Sequence, residues 1–143
     1  MKTIAVLNGP NLNYLGTRER AIYGDIGLNQ LQKDLKIKAD ALGLKLMCEQ
    51  SNHEGRLIDL LQEWAQQKLD AVILNAGGLS HTSVSLRDAI ACMPYPVIEV
   101  HISNIYAREA FRQHSLLSAV CKGSISGCGI MGYSLALDYA AQL

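Results

Sequence analysis

The stretch Glu99-Val100-His101-Ile102-Ser103-Asn104 places a carboxylate, an imidazole, a hydroxyl and an amide directly after an apolar run. That run, Pro96-Val97-Ile98, is typical of a buried strand, so the polar groups that follow it are expected to leave water as the chain folds. A buried polar group without a partner costs roughly 1–3 kcal/mol in protein mutational data. Several such groups together indicate a site. Glu99 lies two residues before His101, on the same strand face, which favours a functional imidazole oriented by a carboxylate.

Two other segments carry the same pattern, an apolar strand followed by a polar, glycine-rich exit. They are residues 8–13 and 75–81. In open parallel sheets, ligands bind outside the carboxyl ends of the strands, so the three exits are expected to converge. Their groups suit a small, oxygen-rich, anionic ligand; they are Asn11, Asn75, His81, His101 and Ser103.

The turn after His101 is expected to bind an anion. Ile102 and Ser103 precede a short helix predicted at about residues 107–114, and exposed N–H groups before a helix favour a carboxylate or phosphate. Arg108 and Arg112 are predicted to lie one turn apart on that helix, where either guanidinium can grip the same anion.

The elements that position these groups alternate between strands and helices. Strands are expected at about residues 3–7, 45–50, 71–74, 97–100 and 119–124. Helical spacing marks residues 28–42, a second helix with a capping box of Ser51 and Glu54 at its start, and further helices at about 83–91, 107–114 and 130–142. This alternation predicts an α/β fold with a parallel sheet covered on both faces. The simplest interpretation is one flavodoxin-like domain over residues 1–143, a three-layer sandwich with strand order 2-1-3-4-5.

Residues 8–26 form the exception, a long, glycine-rich and charged connection between the first strand and the first helix. Loops longer than about 12–15 residues in compact domains are usually functional or disordered. Tyr23 and Arg18 lie in this connection. Taken alone, they are interpreted as a packing or surface tyrosine and a solvated charge.

Composition narrows the possible partners. The chain has 143 residues, 49% hydrophobic and 18% charged, with 13 basic and 13 acidic residues and no basic block. Nucleic acid is therefore not an expected partner, and the apolar runs are too short to span a bilayer. Met1-Lys2-Thr3 leads straight into a strand, so no signal peptide and a cytoplasmic location are expected. The four cysteines are interpreted as reduced packing residues.

Other motifs are given structural interpretations. Gly127-Cys128-Gly129-Ile130-Met131-Gly132 matches G-x-G-x-x-G, but it precedes the last helix, so a tight turn with close helix–sheet packing is expected. A metal site at Glu99, His81 and His101 lacks the usual ligand spacing and is not favoured. A structural or peripheral role is expected for His53 and a surface or interface position for His114.

Six motifs together resemble type II 3-dehydroquinate dehydratase, in the same order and from the first strand to Gly132-Tyr133. The combination is very specific and covers nearly the whole chain. The motifs are Asn8-Gly9-Pro10-Asn11-Leu12-Asn13, Gly16-Thr17-Arg18-Glu19 through Tyr23-Gly24, Gln50-Ser51-Asn52-His53-Glu54-Gly55, Asn75-Ala76-Gly77-Gly78, His81-Thr82-Ser83-Val84-Ser85-Leu86-Arg87-Asp88-Ala89 and Glu99-Val100-His101-Ile102-Ser103-Asn104.

The resemblance implies dehydration of 3-dehydroquinate to 3-dehydroshikimate, an anti elimination through an enolate without metal, cofactor or Schiff base. It implies that Tyr23 is the base, on a mobile lid at about residues 16–26, and that Arg18 favours its tyrosinate. His101 is implied as the acid, oriented by Glu99, and Asn11 as the group that stabilises the enolate through a water.

The resemblance also implies the binding residues and the assembly. Ser103 and the Ile102 backbone are implied to bind the substrate carboxylate, and Asn75, His81 and Arg112 its hydroxyls. Asp88 is implied to reach in from a neighbouring subunit of a dodecamer built from trimers. The chain departs from the family at Arg20, where proline is usual, and at Tyr106, where histidine is common.

The residues alone leave a different class of protein as the alternative. A flavodoxin-like module that binds a nucleotide or another small ligand without catalysis shares the predicted fold. It is disfavoured because no phosphate loop or acidic cluster follows the first strand.

Overall fold

A computed structural model describes residues 1–17 and 20–143, with the backbone alone at Arg20 and Tyr23. Five parallel strands form one sheet in the order β2-β1-β3-β4-β5. They are β1 (Thr3–Asn8), β2 (Lys45–Gln50), β3 (Ala71–Asn75), β4 (Val97–His101) and β5 (Gly123–Ser126). The predicted strand order is confirmed, and it makes β1, β3 and β4 neighbours.

Helices cover both faces of the sheet, as predicted. Those that cover it are α2 (Leu28–Ala41), α3 (Glu54–Gln66), α4 (Val84–Ala91) and α5 (Met131–Ala141), and the short α1 (Arg20–Tyr23) lies in the connection before α2. Alternate residues of each strand point to opposite faces. Ile4 and Val6 therefore join the core under α2 and α5, whereas Ala5 and Leu7 join the core under α3 and α4.

The last strand begins later than predicted. The apolar residues at 119–121 suggested pairing, but Ser118–Val120 form a 3-10 turn, and β5 pairs with β4 only from Gly123 onward. Val120 and Cys121 pack partly buried against the core under α3 and α4. Their apolar character reflects packing between elements and not a place in the sheet.

The helix predicted at residues 107–114 is wrong. Two 3-10 turns, Ile105–Ala107 and Ala110–Arg112, occupy this segment. Arg108 and Glu109 between them have extended backbone ψ angles, −167° and 147°, which interrupt helical bonding. The two arginines of this segment are therefore not stacked one turn apart on an α-helix.

The capping box predicted for α3 is also wrong. Ser51 Oγ accepts a hydrogen bond from the His53 N–H at 3.0 Å, and His53 is the N-cap residue. Glu54 is the first helical residue, and its carboxylate accepts a hydrogen bond from Ser83 Oγ. Ser83 in turn caps α4 by accepting the Leu86 N–H at 2.9 Å.

The glycines before α5 serve packing, as predicted. Gly127 and Gly129 adopt φ angles of 87° and 61°, which glycine tolerates without strain. A Cβ at Gly132 would approach Val100 Cγ1 to 3.3 Å and Ile125 Cγ2 to 3.5 Å. The start of α5 therefore lies tightly on β4 and β5. Within the described residues, no helix has the length and apolar character needed to cross a membrane.

Candidate active site

A pocket opens at the carboxyl ends of β1, β3 and β4, where the three polar exits converge as predicted. Asn11, Asn75, His81, His101, Ile102, Ser103 and Arg112 all line it, together with Arg108, Pro10, Leu12 and Gly77. Strand order accounts for the convergence, because three adjacent parallel strands deliver their exits to one edge of the sheet.

His101 and Glu99 form a buried pair at the wall of this pocket. His101 Nε2 lies 2.8 Å from Glu99 Oε2, and the two residues are 5% and 0% exposed. Because a carboxylate only accepts, His101 Nε2 carries a hydrogen, which leaves Nδ1 as the ring nitrogen for ligand chemistry. The predicted partnership between the two residues is thus present in the structure.

Three serine hydroxyls complete the surroundings of the Glu99 carboxylate. Ser115 Oγ donates to Oε2, and Ser118 Oγ and Ser124 Oγ donate to Oε1. Burial by itself raises the pKa of Glu99, but the hydrogen bonds and charge of His101 and the hydroxyls of Ser115 and Ser118 outweigh it and lower the pKa to about 2. The carboxylate is therefore ionised at neutral pH although it has no contact with solvent.

The serines were not identified from the sequence. Ser124 lies directly opposite Glu99 in the β4–β5 register, a pairing that the predicted strand at 119–124 did not specify. Ser115 and Ser118 come from the irregular segment after the pocket arginines, and no periodic pattern predicts that this segment folds back onto β4.

His81 faces His101 across the pocket. The two rings stack at an interplanar angle of 25° with their centroids 6.2 Å apart. His81 Nδ1 lies 2.9 Å from the His114 carbonyl oxygen, and because a carbonyl only accepts, Nδ1 carries the hydrogen. In the neutral ring, Nε2 is then an acceptor suited to a ligand hydroxyl.

Asn75 joins the pocket to a buried chain of polar groups. Its Nδ2 donates to Tyr133 Oη at 2.8 Å, and its Oδ1 accepts the Gly77 N–H at 3.1 Å. Tyr133 Oη donates in turn to Asn8 Oδ1 at 2.5 Å. The Tyr133 hydroxyl was missed because its residue reads as part of the apolar stripe of α5.

Asn11 lies on the β1 side of the pocket with an unusual backbone. Its φ of 70° is left-handed, a conformation that asparagine tolerates better than most residues. Its N–H donates to Asn52 Oδ1 at 2.9 Å. This contact uses the backbone and leaves the side-chain amide for the pocket.

The groups that the sequence predicts to bind an anion lie on the β4 side. Arg108 Nη1 approaches Ser103 Oγ at 3.4 Å, and Arg112 Nε donates to Glu109 at 3.0 Å. Both arginines line the pocket although the predicted helix is absent.

Besides Glu99, which is fully buried against His101 and does not itself line the pocket, three of the predicted site residues are not placed there. Asp88 is exposed on α4 and is not among the residues that line it. Arg18 lies outside the described residues, as does the side chain of Tyr23, whose backbone ends α1. Their roles stay predictions.

Sequence and fold match one enzyme family. Residues 2–141 match the family model described as Dehydroquinase class II. The 3-dehydroquinate dehydratase of Herminiimonas arsenicoxydans is 51% identical over 141 residues, which cover 99% of this chain and 97% of that protein. The enzyme of the same name from Bacillus cereus (strain AH820) is 52% identical over 137 residues, covering 96% of this chain and 93% of the relative.

A solved structure gives the same result. The type II dehydroquinase from Propionibacterium acnes has a TM-score of 0.97 and 41% identity, with 100% of this chain and 98% of that chain covered. The chain belongs to the class II dehydroquinase family. The resemblance, the fold class and the assignment as an enzyme of this type are thereby confirmed.

Proposed function

We propose that this protein converts 3-dehydroquinate to 3-dehydroshikimate by anti elimination of water through an enolate. Family membership supports the overall reaction, and the observation that carries the proposed mechanism is the buried His101–Glu99 pair at the pocket wall. The step belongs to the shikimate pathway, which leads to chorismate and the aromatic amino acids. In quinate breakdown the same conversion serves degradation instead of biosynthesis.

His101 is the proposed acid. In the second half of the reaction the enolate expels the ring hydroxyl, which must leave as water and so needs a proton. The Nε2 hydrogen of His101 faces Glu99 Oε2, so Nδ1 delivers the proton. The ring that results is neutral, with its remaining hydrogen still bonded to Glu99. Glu99 touches the imidazole and not the substrate, and it is a positioning residue.

Tyr23 is the proposed base, which removes the proton beside the ketone. A free tyrosine has a pKa of about 10 and is a poor base at neutral pH. A guanidinium about 4 Å away, at an effective dielectric near 20, contributes about 4 kcal/mol in favour of the anion. Placed there, Arg18 would offset most of this deficit before desolvation opposes it. Residues 16–26 are the proposed lid that brings both groups to the substrate.

The remaining pocket groups are proposed to bind and orient the ring. Ser103 and the Ile102 backbone bind the carboxylate. Asn11 stabilises the enolate oxygen through a water. Asn75, His81 and Arg112 bind the hydroxyls, and the acceptor nitrogen of His81 suits that role.

A homo-oligomer, a dodecamer built from trimers, is the proposed assembly. Asp88 is exposed in the single chain and lies away from its own pocket, so its proposed place is the pocket of a neighbouring subunit. The cytoplasmic location expected from the sequence stays a prediction.

Incubation of the purified protein with 3-dehydroquinate tests the proposed reaction. The expected result is a growing ultraviolet absorbance from the conjugated enone, with 3-dehydroshikimate identified by mass and by proton NMR. A colourless protein that is active in the presence of a chelator agrees with the proposal. A protein that binds a nucleotide or flavin and leaves 3-dehydroquinate unchanged contradicts it and favours the binding module.

A further inference from the structure

Two buried asparagines end neighbouring central strands at the same level. Asn8 of β1 and Asn75 of β3 are register partners, and they are 0% and 4% exposed. The hydroxyl of Tyr133, which is fully buried at the start of α5, lies between them and bonds to both. Only Asn75 of these three residues lines the pocket.

The hydrogen bonds that link Asn75, Tyr133 and Asn8 can run in one direction only. The Gly77 N–H must donate, so the Asn75 atom that it meets is the carbonyl oxygen Oδ1. Asn75 Nδ2 therefore faces Tyr133 Oη and donates to it. The single hydroxyl hydrogen of Tyr133 then goes to Asn8 Oδ1. Burial raises the pKa of Tyr133, which keeps that hydrogen in place.

Asn8 takes part in this series of hydrogen bonds at a cost to stability. Its Nδ2 is buried and has no hydrogen-bond partner within the described part of the protein. A leucine of similar size would avoid the penalty of an unpaired buried donor. The carbonyl oxygen that accepts the Tyr133 hydrogen is the feature that a leucine could not supply.

We propose that Tyr133 is a positioning residue that fixes the Asn75 carboxamide, so that Asn75 distinguishes ring hydroxyls of the ligand. The inference rests on the proposed function, because it needs a ligand hydroxyl at Asn75. One Nδ2 hydrogen is committed to Tyr133, which sets the direction of the second. Without the Tyr133 hydroxyl, the Gly77 N–H is the one remaining hydrogen-bond partner of the carboxamide among the described residues, and the Nδ2 end can rotate away from the ligand.

Competitive inhibition by quinate and by analogues that each lack one ring hydroxyl tests this role. The enzymes are the wild type, Asn75→Ala, Tyr133→Phe and Tyr95→Phe. Tyr95→Phe is the matched control, because Tyr95 is a buried tyrosine whose hydroxyl donates to the Leu61 carbonyl, away from the pocket. Asn75→Ala identifies the analogue that reports on Asn75.

The wild type is expected to bind quinate about tenfold more tightly than that analogue, the effect of one hydrogen bond. In Tyr133→Phe the ratio should fall below about threefold, and KM should rise more than kcat falls, as expected for lost binding that is common to ground and transition state. Tyr95→Phe should keep the wild-type ratio even though it too loses a buried bond. A thermal unfolding scan separates lost stability from lost discrimination.

Full discrimination in folded Tyr133→Phe would overturn the inference, as would an Asn75→Ala enzyme that treats every analogue as the wild type does. In either case wild-type turnover of 3-dehydroquinate leaves the proposed function standing, whereas absent turnover removes the function itself. Asn8→Leu provides a second variant if Tyr133→Phe does not fold. It exchanges the unpaired Asn8 Nδ2 for an unpaired Tyr133 hydroxyl hydrogen, so the number of unpaired buried donors does not rise and the variant should fold. Without its acceptor the Tyr133 hydroxyl can turn away from Asn75, so part of the discrimination should be lost; an unchanged ratio would again contradict the proposal.

Discussion

Glu99 Oε2 and His101 Nε2 lie 2.8 Å apart on one face of β4, and neither residue has substantial contact with solvent. Each carboxylate oxygen accepts two hydrogen bonds, from His101 and Ser115 on one side and from Ser118 and Ser124 on the other. Serines from two segments of the chain thus hold the Glu99 carboxylate in place, and the carboxylate in turn fixes the orientation of the His101 imidazole. A rigidly held imidazole is the consequence, which suits the acid role proposed for His101.

Replacing Glu99 tests whether this anion supports the acid step. Glu99→Gln keeps the size of the side chain and removes its charge, and its amide nitrogen cannot accept from the serines. Since general acid catalysis typically contributes about 10²–10⁴-fold, kcat is expected to fall by about 10²-fold, whereas KM should change less than about threefold. Glu63→Gln, at an exposed carboxylate paired with Arg56, serves as the control. A Glu99→Gln enzyme with normal kcat would remove the proposed role.

The pH dependence of stability follows from the same group. The pKa of Glu99 is lowered from 4.5 to about 2 in the folded protein, so the ionised carboxylate stabilises the fold above about pH 4.5. This contribution is lost as the pH falls from about 4.5 to about 2, because the carboxyl of the folded protein then takes up a proton. At about 1.36 kcal/mol per pKa unit the difference corresponds to about 3 kcal/mol.

Urea unfolding between pH 3 and pH 7 measures this contribution. The free energy of unfolding of the wild type should decrease more steeply toward low pH than that of Glu99→Gln, with the difference concentrated below about pH 4.5. Parallel curves for the two proteins would show that Glu99 is not held as an anion in the folded state.

The four cysteines should react very unequally with a thiol reagent. Burial raises the pKa of Cys48 to about 11 and that of Cys121 to about 12, so both stay protonated and shielded at pH 8. Cys92 and Cys128 are exposed, and the thiolate is the reactive form. Alkylation followed by peptide mass analysis should label Cys92 and Cys128 first. Fast labelling of Cys48 or Cys121 in the folded protein would contradict the described packing.

Arg18 is expected to matter through its charge and its planar shape. Without the Arg18 guanidinium the Tyr23 tyrosinate is less favoured. Arg18→Ala should therefore lower kcat and move the pH at which activity rises to a higher value. Arg18→Lys should restore activity only in part, since a lysine lacks the planar fork. Arg56→Lys on the exposed face of α3 is the control. A pH profile that does not move in Arg18→Ala would argue against a tyrosinate base.

The sequence was sufficient for the strand order and for the first four strands, because these are short runs between clear helical repeats, whereas β5 begins at Gly123 and not at about residue 119. The partnership of Glu99 and His101 could be predicted because two residues on one strand share a face. The segment from Ile105 to Val120 could not be predicted, since its course depends on long-range contacts with β4, with α4 and with the 3-10 turn Gly77–His81 before α4. Leu116 N–H donates to the Ser80 carbonyl, for example, and Arg87 donates to the Leu116 carbonyl. The same long-range folding hid the serines around Glu99 and the link from Tyr133 to Asn75.

Hydrogen exchange at the carbon beside the ketone tests the central claim, that Tyr23 removes a proton and His101 then protonates the leaving hydroxyl. 3-Dehydroquinate is incubated in D₂O with the wild type, Tyr23→Phe, His101→Ala and the control Tyr14→Phe, and deuterium in the recovered substrate is followed by NMR. His101→Ala should incorporate deuterium while forming little 3-dehydroshikimate, because the enolate forms and returns. Tyr23→Phe should do neither, and Tyr14→Phe should behave as the wild type. Deuterium incorporation by Tyr23→Phe at the rate of His101→Ala, or normal dehydration by His101→Ala, would contradict the account.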